Sequence, residues 1–135
     1  MRRPDVPKDW LVSGLRWGIW QPDTGSEQRW IDLAEMTGYS SADPAERQMW
    51  AAFLRASQIQ DAIWHRINVK LPALGYSHRA ELAWDPEDPA SSRRTQMSTS
   101  TLANIGSGQR FMTLKEIAQL EIALGTLLPL GTTTD

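Results

Sequence analysis

What this chain lacks narrows its chemistry first. It has no cysteine, which excludes disulfides, thiolate nucleophiles, Cys-based zinc sites and iron–sulfur clusters and agrees with a reducing compartment. Its only histidines are His65 and His78, too few for a metal site, which needs three or four ligands. The nearest acids, Asp85, Glu87 and Asp88, stand among prolines that spoil a calcium loop. No metal and no cofactor is expected. No apolar run approaches the roughly 18 residues of a membrane span, and the opening Met1–Asp9 has no apolar signal core. A cytoplasmic protein with no membrane partner is expected. Neither sign of charge dominates, with 14 basic and 16 acidic residues and a net charge of −2, a balance that by itself argues against a nucleic-acid partner. Catalytic motifs are missing too. Gly106-Ser107-Gly108 has no third glycine, no preceding strand and no Walker lysine, and no nucleophile elbow occurs. The chain is expected not to be an enzyme.

What is present is a globular balance, 41% apolar and 22% charged over 135 residues, long enough for a core without staples. Seven tryptophans stand out, three of them (Trp10, Trp17 and Trp20) within the first twenty residues. Leu15, Trp17 and Ile19 alternate with other residues, as in a short strand or an extended arm. These aromatics either plug the arm onto the core or offer a protein-partner surface, where Trp is enriched. Thr24 and Glu27 have capping-box spacing, predicting a helix with Trp30, Ile31, Leu33, Ala34 and Met36 inward and a stop at Gly38. Asp43-Pro44 opens the longest helix, Ala45 to about Asn68, with Met49, Ala52, Phe53, Ala56, Ile59, Ile63 and Ile67 inward; Pro72 ends or kinks it. A short helix is predicted over Tyr76–Trp84, then a proline-rich loop. The last two helices are Ser98–Ile105 and Thr113–Leu124, the latter with a capping box (Thr113, Glu116) and a stop at Gly125. The fold class is all-α.

The charge is unevenly placed. Residues 81–88 carry Glu81, Asp85, Glu87 and Asp88 without a base; residues 89–115 carry Arg93, Arg94, Arg110 and Lys115 without an acid; residues 116–135 carry only acids. The acid-free window contains a suggestive unit. Ser98 is a good N-cap, so Thr99, Ser100 and Thr101 occupy a polar first turn; Leu102 and Ile105 face inward and Asn104 outward. Gly106 and Gly108 close the helix, Gln109-Arg110 cross a turn, and an amphipathic helix follows, burying Leu114, Ile117, Ala118, Leu120 and Leu124. Small polar first-turn residues reach base edges in a major groove, Asn pairs with adenine, and a nearby Arg holds phosphate.

The segment Ser100–Leu114, continuing through Ile117–Gly125, resembles the second half of an XRE-type (lambda-repressor or Cro-like) helix-turn-helix domain. The carriers are Gly108, the pair Gln109-Arg110, and Thr113-Leu114 opening the next helix. The resemblance implies an all-α fold in which a helix-turn-helix domain (61–130, with an inserted loop 84–97) follows an N-terminal helical, Trp-rich region (1–60). It implies sequence-specific binding of double-stranded DNA, most simply as a repressor and as a homodimer. Ser98, Thr99, Ser100, Thr101, Asn104 and Gln109 would then face DNA, with Arg110, Arg93 and Arg94 on phosphate. Two departures stand: the inserted loop, and Gly106 where a helix former is usual, weakening that helix by about 1 kcal/mol against Ala. Two alternatives accompany this reading. One is an antitoxin whose Trp-rich region also holds a protein toxin; the other is an adaptor that keeps the fold without binding DNA.

Overall fold

A computed structural model describes residues 4–19, 29–84, 87, 95–125 and 127. Among these the chain is all-α, with no strand: α1 (Pro44–Ala73), α2 (Thr99–Gly106) and α3 (Leu114–Leu124), accompanied by single 3-10 turns at Pro7–Trp10, Leu33–Glu35 and Arg79–Leu82. None of the described helices is long and apolar enough to cross a membrane.

The long helix starts where its sequence asks. Asp43 accepts the Glu46 amide at 2.8 Å and Pro44 supplies the first helical φ. α1 then runs 30 residues, about 45 Å, and passes through Pro72 to end one residue later. Its stop is a Schellman motif. Gly75 turns left-handed at φ +86°, the Tyr76 amide reaches the Leu71 carbonyl at 2.9 Å, and the Gly75 amide reaches Pro72 at 3.1 Å. Of the expected inward face, Ile63 and Ile67 are fully buried, and Phe53 and Ile59 are half-buried against the two clusters. Met49 is 50% exposed and Ala52 also faces out, while Trp50 is buried in their place. The true stripe is Trp50, Ser57, Gln60–Trp64, Ile67 and Leu71. Its polar members disguised it.

α1 serves two cores. Around its first half lies an aromatic cluster built on Trp10, Leu11, Trp30, Met36, Trp50 and Ala62. Trp10 stacks parallel on Phe53 at 6.4 Å, Phe53 tilts against Phe111 at 5.4 Å, and Trp17 meets Trp30 edge-on at 6.5 Å. Around its second half lies a mainly aliphatic cluster that takes Leu82, Met97, Leu102, Ile105, Leu120, Leu124 and Leu127 from the rest of the chain. α1 crosses position 60–61 without a break, and Phe111 from beyond α2 packs on the aromatic cluster.

The N-terminal arm differs from its expectation. Leu11 and Trp30 form an isolated antiparallel bridge, with the Ile31 amide on the Trp10 carbonyl and the Val12 amide on Arg29. No α-helix follows it. Leu33–Glu35 is one 3-10 turn capped by Asp32, so Trp30 and Ile31 lie on extended chain instead. The Thr24–Glu27 capping box and Trp20 lie outside the described residues. A buried ion pair ties this non-helical chain to α1: Asp61, fully buried, accepts from Arg29 Nη2 and from the Gly18 amide, each at 3.1 Å. The same guanidinium donates to the Arg16 carbonyl. Trp10 and Trp30 are thus turned into the core, and the arm's exposed apolar residues are Val12, Leu15 and Ile19.

The expected helix over Tyr76–Trp84 shrinks to the 3-10 turn Arg79–Leu82. Side chains close it locally: His78 Nδ1 accepts the Ala80 amide, and Glu81 accepts both the amide and the hydroxyl of Ser77. Beyond it the chain departs and returns to the same place. The Thr95 amide and hydroxyl both reach the Leu82 carbonyl, and the Trp84 amide reaches Met97. The 84–97 insertion is therefore pinned at its base.

Candidate nucleic-acid interface

α2 is specified at both ends by its own residues. Ser98 Oγ accepts the Thr101 amide at 3.1 Å and donates to Thr101 Oγ1 at 3.0 Å, with Ser100 Oγ 3.3 Å away. At the other end Gly108, at φ +76°, completes a Schellman motif, with the Gln109 amide on the Asn104 carbonyl at 2.9 Å. Leu102 and Ile105 are fully buried, which turns Thr99, Ser100, Ala103 and Asn104 outward and leaves Thr101 half-buried. The expected inner pair and the outward Asn104 are where the spacing put them.

Gly106 acquires a reason that the sequence did not offer. It is buried, and a Cβ there would come within 2.8 Å of Arg79 Cδ and 3.3 Å of the Trp64 ring. The missing side chain lets α1 and the 79–82 turn close onto α2. Gly108 is similarly enclosed: a Cβ would lie 2.9 Å from the Trp17 ring, and its carbonyl accepts the Lys8 amide at 2.9 Å. The arm therefore packs on the turn that follows α2.

The turn into α3 carries two polar anchors. Thr113 and Glu116 form the expected capping box, Glu116 Oε1 taking the Thr113 amide at 2.8 Å and Thr113 Oγ1 the Glu116 amide at 3.1 Å. The same carboxylate holds Arg110 through both guanidinium nitrogens, and Arg110 Nη1 also reaches the Phe111 carbonyl. That hydrogen bond holds the Glu116 carboxyl below the ordinary glutamate range and raises Arg110 further. Arg110, expected on phosphate, instead spends its bidentate face within the fold. The second anchor is Gln60 of α1, buried, which donates to the Ile105 and Arg110 carbonyls at 2.9 and 3.0 Å and accepts the Met112 amide at 2.9 Å. Sequence reasoning passed over Gln60. Its one signal was a polar residue in register with Ile63 and Ile67.

α3 keeps Leu120 and Leu124 inside but not two other expected members. Leu114, the first residue of the helix, is 79% exposed, and Ala118 faces out with it. Gln109 is exposed. Arg93 and Arg94 lie outside the described residues. The short helix expected over Tyr76–Trp84, just before α2, is here the single Arg79–Leu82 turn, which packs against α2. The surface offered by α2 is accordingly small, polar and uncharged, with Lys115 exposed at the start of α3. Compared with known proteins, the chain matches no family model, no curated protein and no solved structure.

Proposed function

We propose that this chain is a sequence-specific double-stranded DNA-binding regulator, acting most simply as a cytoplasmic repressor and as a homodimer, with α2 as the element that enters the major groove. The observation that carries the reading is the outer face of α2. Thr99, Ser100 and Asn104 project from a short helix fixed at both caps, by Leu102 and Ile105 beneath, and by Gln60 across the following turn. Small hydroxyl and amide side chains on a rigid helix allow close approach to base edges. Phosphate contacts fall to Lys115, Arg93 and Arg94, with Arg110 acting through Glu116 to hold the turn. With so few phosphate contacts, a single copy binds weakly, and two copies on paired half-sites supply the affinity.

An adaptor that binds no DNA draws on a different observation: α2 bears no charged residue and Arg110 is neutralised by Glu116. One experiment separates the two. Duplexes are selected from a random pool, and affinity for the winner is followed against salt for the wild-type chain, Asn104→Ala and the double variant Thr99→Ala/Ser100→Ala. The regulator reading expects an enriched motif and a loss of about tenfold or more for each base-facing change, the size of about 1–3 kcal/mol per good contact. No enrichment, or variants indistinguishable from wild type, sinks it in favour of the adaptor.

A further inference from the structure

Away from the outer face of α2, the arm, α1 and the 77–79 segment enclose an open cleft of about 1000 Å³, at the upper end of ligand-pocket sizes, about 300–1000 Å³. Lys8, Arg16 and Arg79 line it together with His65 and His78, and among the described residues no carboxylate does. The three cations come from three separate segments: the first 3-10 turn, the arm and the Arg79–Leu82 turn. Elsewhere the fold treats its inward arginines differently, giving Arg29 to Asp61 and Arg110 to Glu116. In a chain of net charge −2, three like charges line one cavity with no carboxylate among its described lining residues, an arrangement that favours an anion there. The cleft has further donors. His78 uses Nδ1 to accept the Ala80 amide, so a neutral ring carries its proton on Nε2. Trp17 and Tyr76 add ring surface to the lining.

We propose that this cleft binds a small phosphate-bearing molecule, its phosphate held by Lys8, Arg16 and Arg79 and its remaining part against Trp17 and Tyr76. Phosphate fits better than a single carboxylate because three cations lining one cleft match a multiply charged anion with several acceptor oxygens. A free ligand fits better than a DNA backbone because the cleft meets α2 at Gly106 and Ser107, about 10 Å along the helix axis from its first turn. The proposal does not rest on the DNA reading.

The test titrates the full-length chain with inorganic pyrophosphate at constant ionic strength, by calorimetry and by tryptophan fluorescence. Saturable binding of one equivalent is expected. Arg16→Gln and Lys8→Gln should each weaken it about tenfold or more, the loss typical of one charge-assisted hydrogen bond, while Arg55→Gln, at an exposed position of α1 outside the cleft, leaves it unchanged. Arg79 is kept intact because its stem packs on Gly106, and Arg16, an exposed residue, gives a variant that leaves the core alone. Absence of saturable binding overturns the proposal, as does an equal loss in Arg55→Gln, which reports net charge alone. Displacement of pyrophosphate by duplex DNA, with Arg16→Gln weakening both equally, also overturns it and assigns the cleft to a nucleic-acid backbone.

Discussion

The aromatic cluster at the start of α1 and the aliphatic cluster at its end solve the same problem by opposite means. The aliphatic cluster joins regular elements, each stopped or started by its own cap: Ser98, Thr113–Glu116, and the glycines at 75 and 108. The aromatic cluster joins α1 to chain that is mostly irregular, secured by the isolated Leu11–Trp30 bridge and a few turns. There bulky rings supply the contact area that helices supply elsewhere, and one buried ion pair, Arg29–Asp61, fixes the register. Rings of this size bury much area without demanding a regular backbone. They also bring in polar atoms, and the buried indole N–H groups of Trp10 and Trp17 find no hydrogen-bond acceptor among the described residues. Local capping holds one half, and long-range side-chain contacts hold the other.

The sharpest way to break this contrast is Asp61→Ala, which strands the Arg29 cation and the Gly18 amide. A loss of about 3–5 kcal/mol is expected, as for a buried pair with one partner removed. If the two clusters are held independently, tryptophan fluorescence shifts red at lower denaturant than helical ellipticity is lost. A single coincident transition would show instead that the arm and the helices unfold as one unit. Trp10→Ala probes the same half through packing and should cost about 3–5 kcal/mol, read from denaturant midpoints.

Gln60→Leu tests the joint between the halves, because it keeps the volume roughly constant while orphaning the Ile105 and Arg110 carbonyls and the Met112 amide. The expected loss is about 2–3 kcal/mol, accompanied by faster hydrogen exchange at Met112 while the Trp10 environment is retained. Protection at Met112 equal to wild type would remove Gln60 from this role.

Glu116→Gln makes the smallest change and acts only on the capped side, at about 1 kcal/mol near neutral pH. Its pH dependence has a definite sign. The folded carboxyl is held low, first by Arg110, so its contribution is fully present above the ordinary glutamate range, near about 4.3. It is lost as pH falls through the lower folded value. Stability measured from neutral pH down into that acid range should fall less steeply in Glu116→Gln than in wild type. Parallel curves would show that the pair contributes nothing to the acid limb.

Legibility in the sequence followed the same division. The Asp43-Pro44 start, the Ser98 cap, the Thr113–Glu116 box and the Gly108 and Gly125 stops involve residues within a turn of one another, so their spacing announces them. The inner pair Leu102 and Ile105 was readable for the same reason. In the first half of α1 the apolar pattern pointed to Met49 and Ala52, whereas the buried stripe runs through Ser57, Gln60 and Asp61. Gln60 and Asp61 are inside because partners 32 to 52 residues away satisfy them, and Ser57 because its hydroxyl bonds the Phe53 carbonyl one turn back. Arg110 shows the same limit: its ion pair with the Glu116 carboxylate, six residues on, does not follow from helical spacing.

By itself the sequence determined the all-α class, the caps of α2 and α3, and the polar outer face of α2, because each depends on hydrogen bonds or periodicity inside a single element. Only the tertiary structure decided which half of α1 faces which core, why Gly106 must lack a side chain, and how Gln60 and Asp61 lock remote segments. It also brought Lys8, Arg16 and Arg79 from three parts of the chain to one cleft. The physical reason is range. Capping and helical periodicity act over three or four residues, whereas satisfying a buried polar group depends on whatever chain the fold brings beside it.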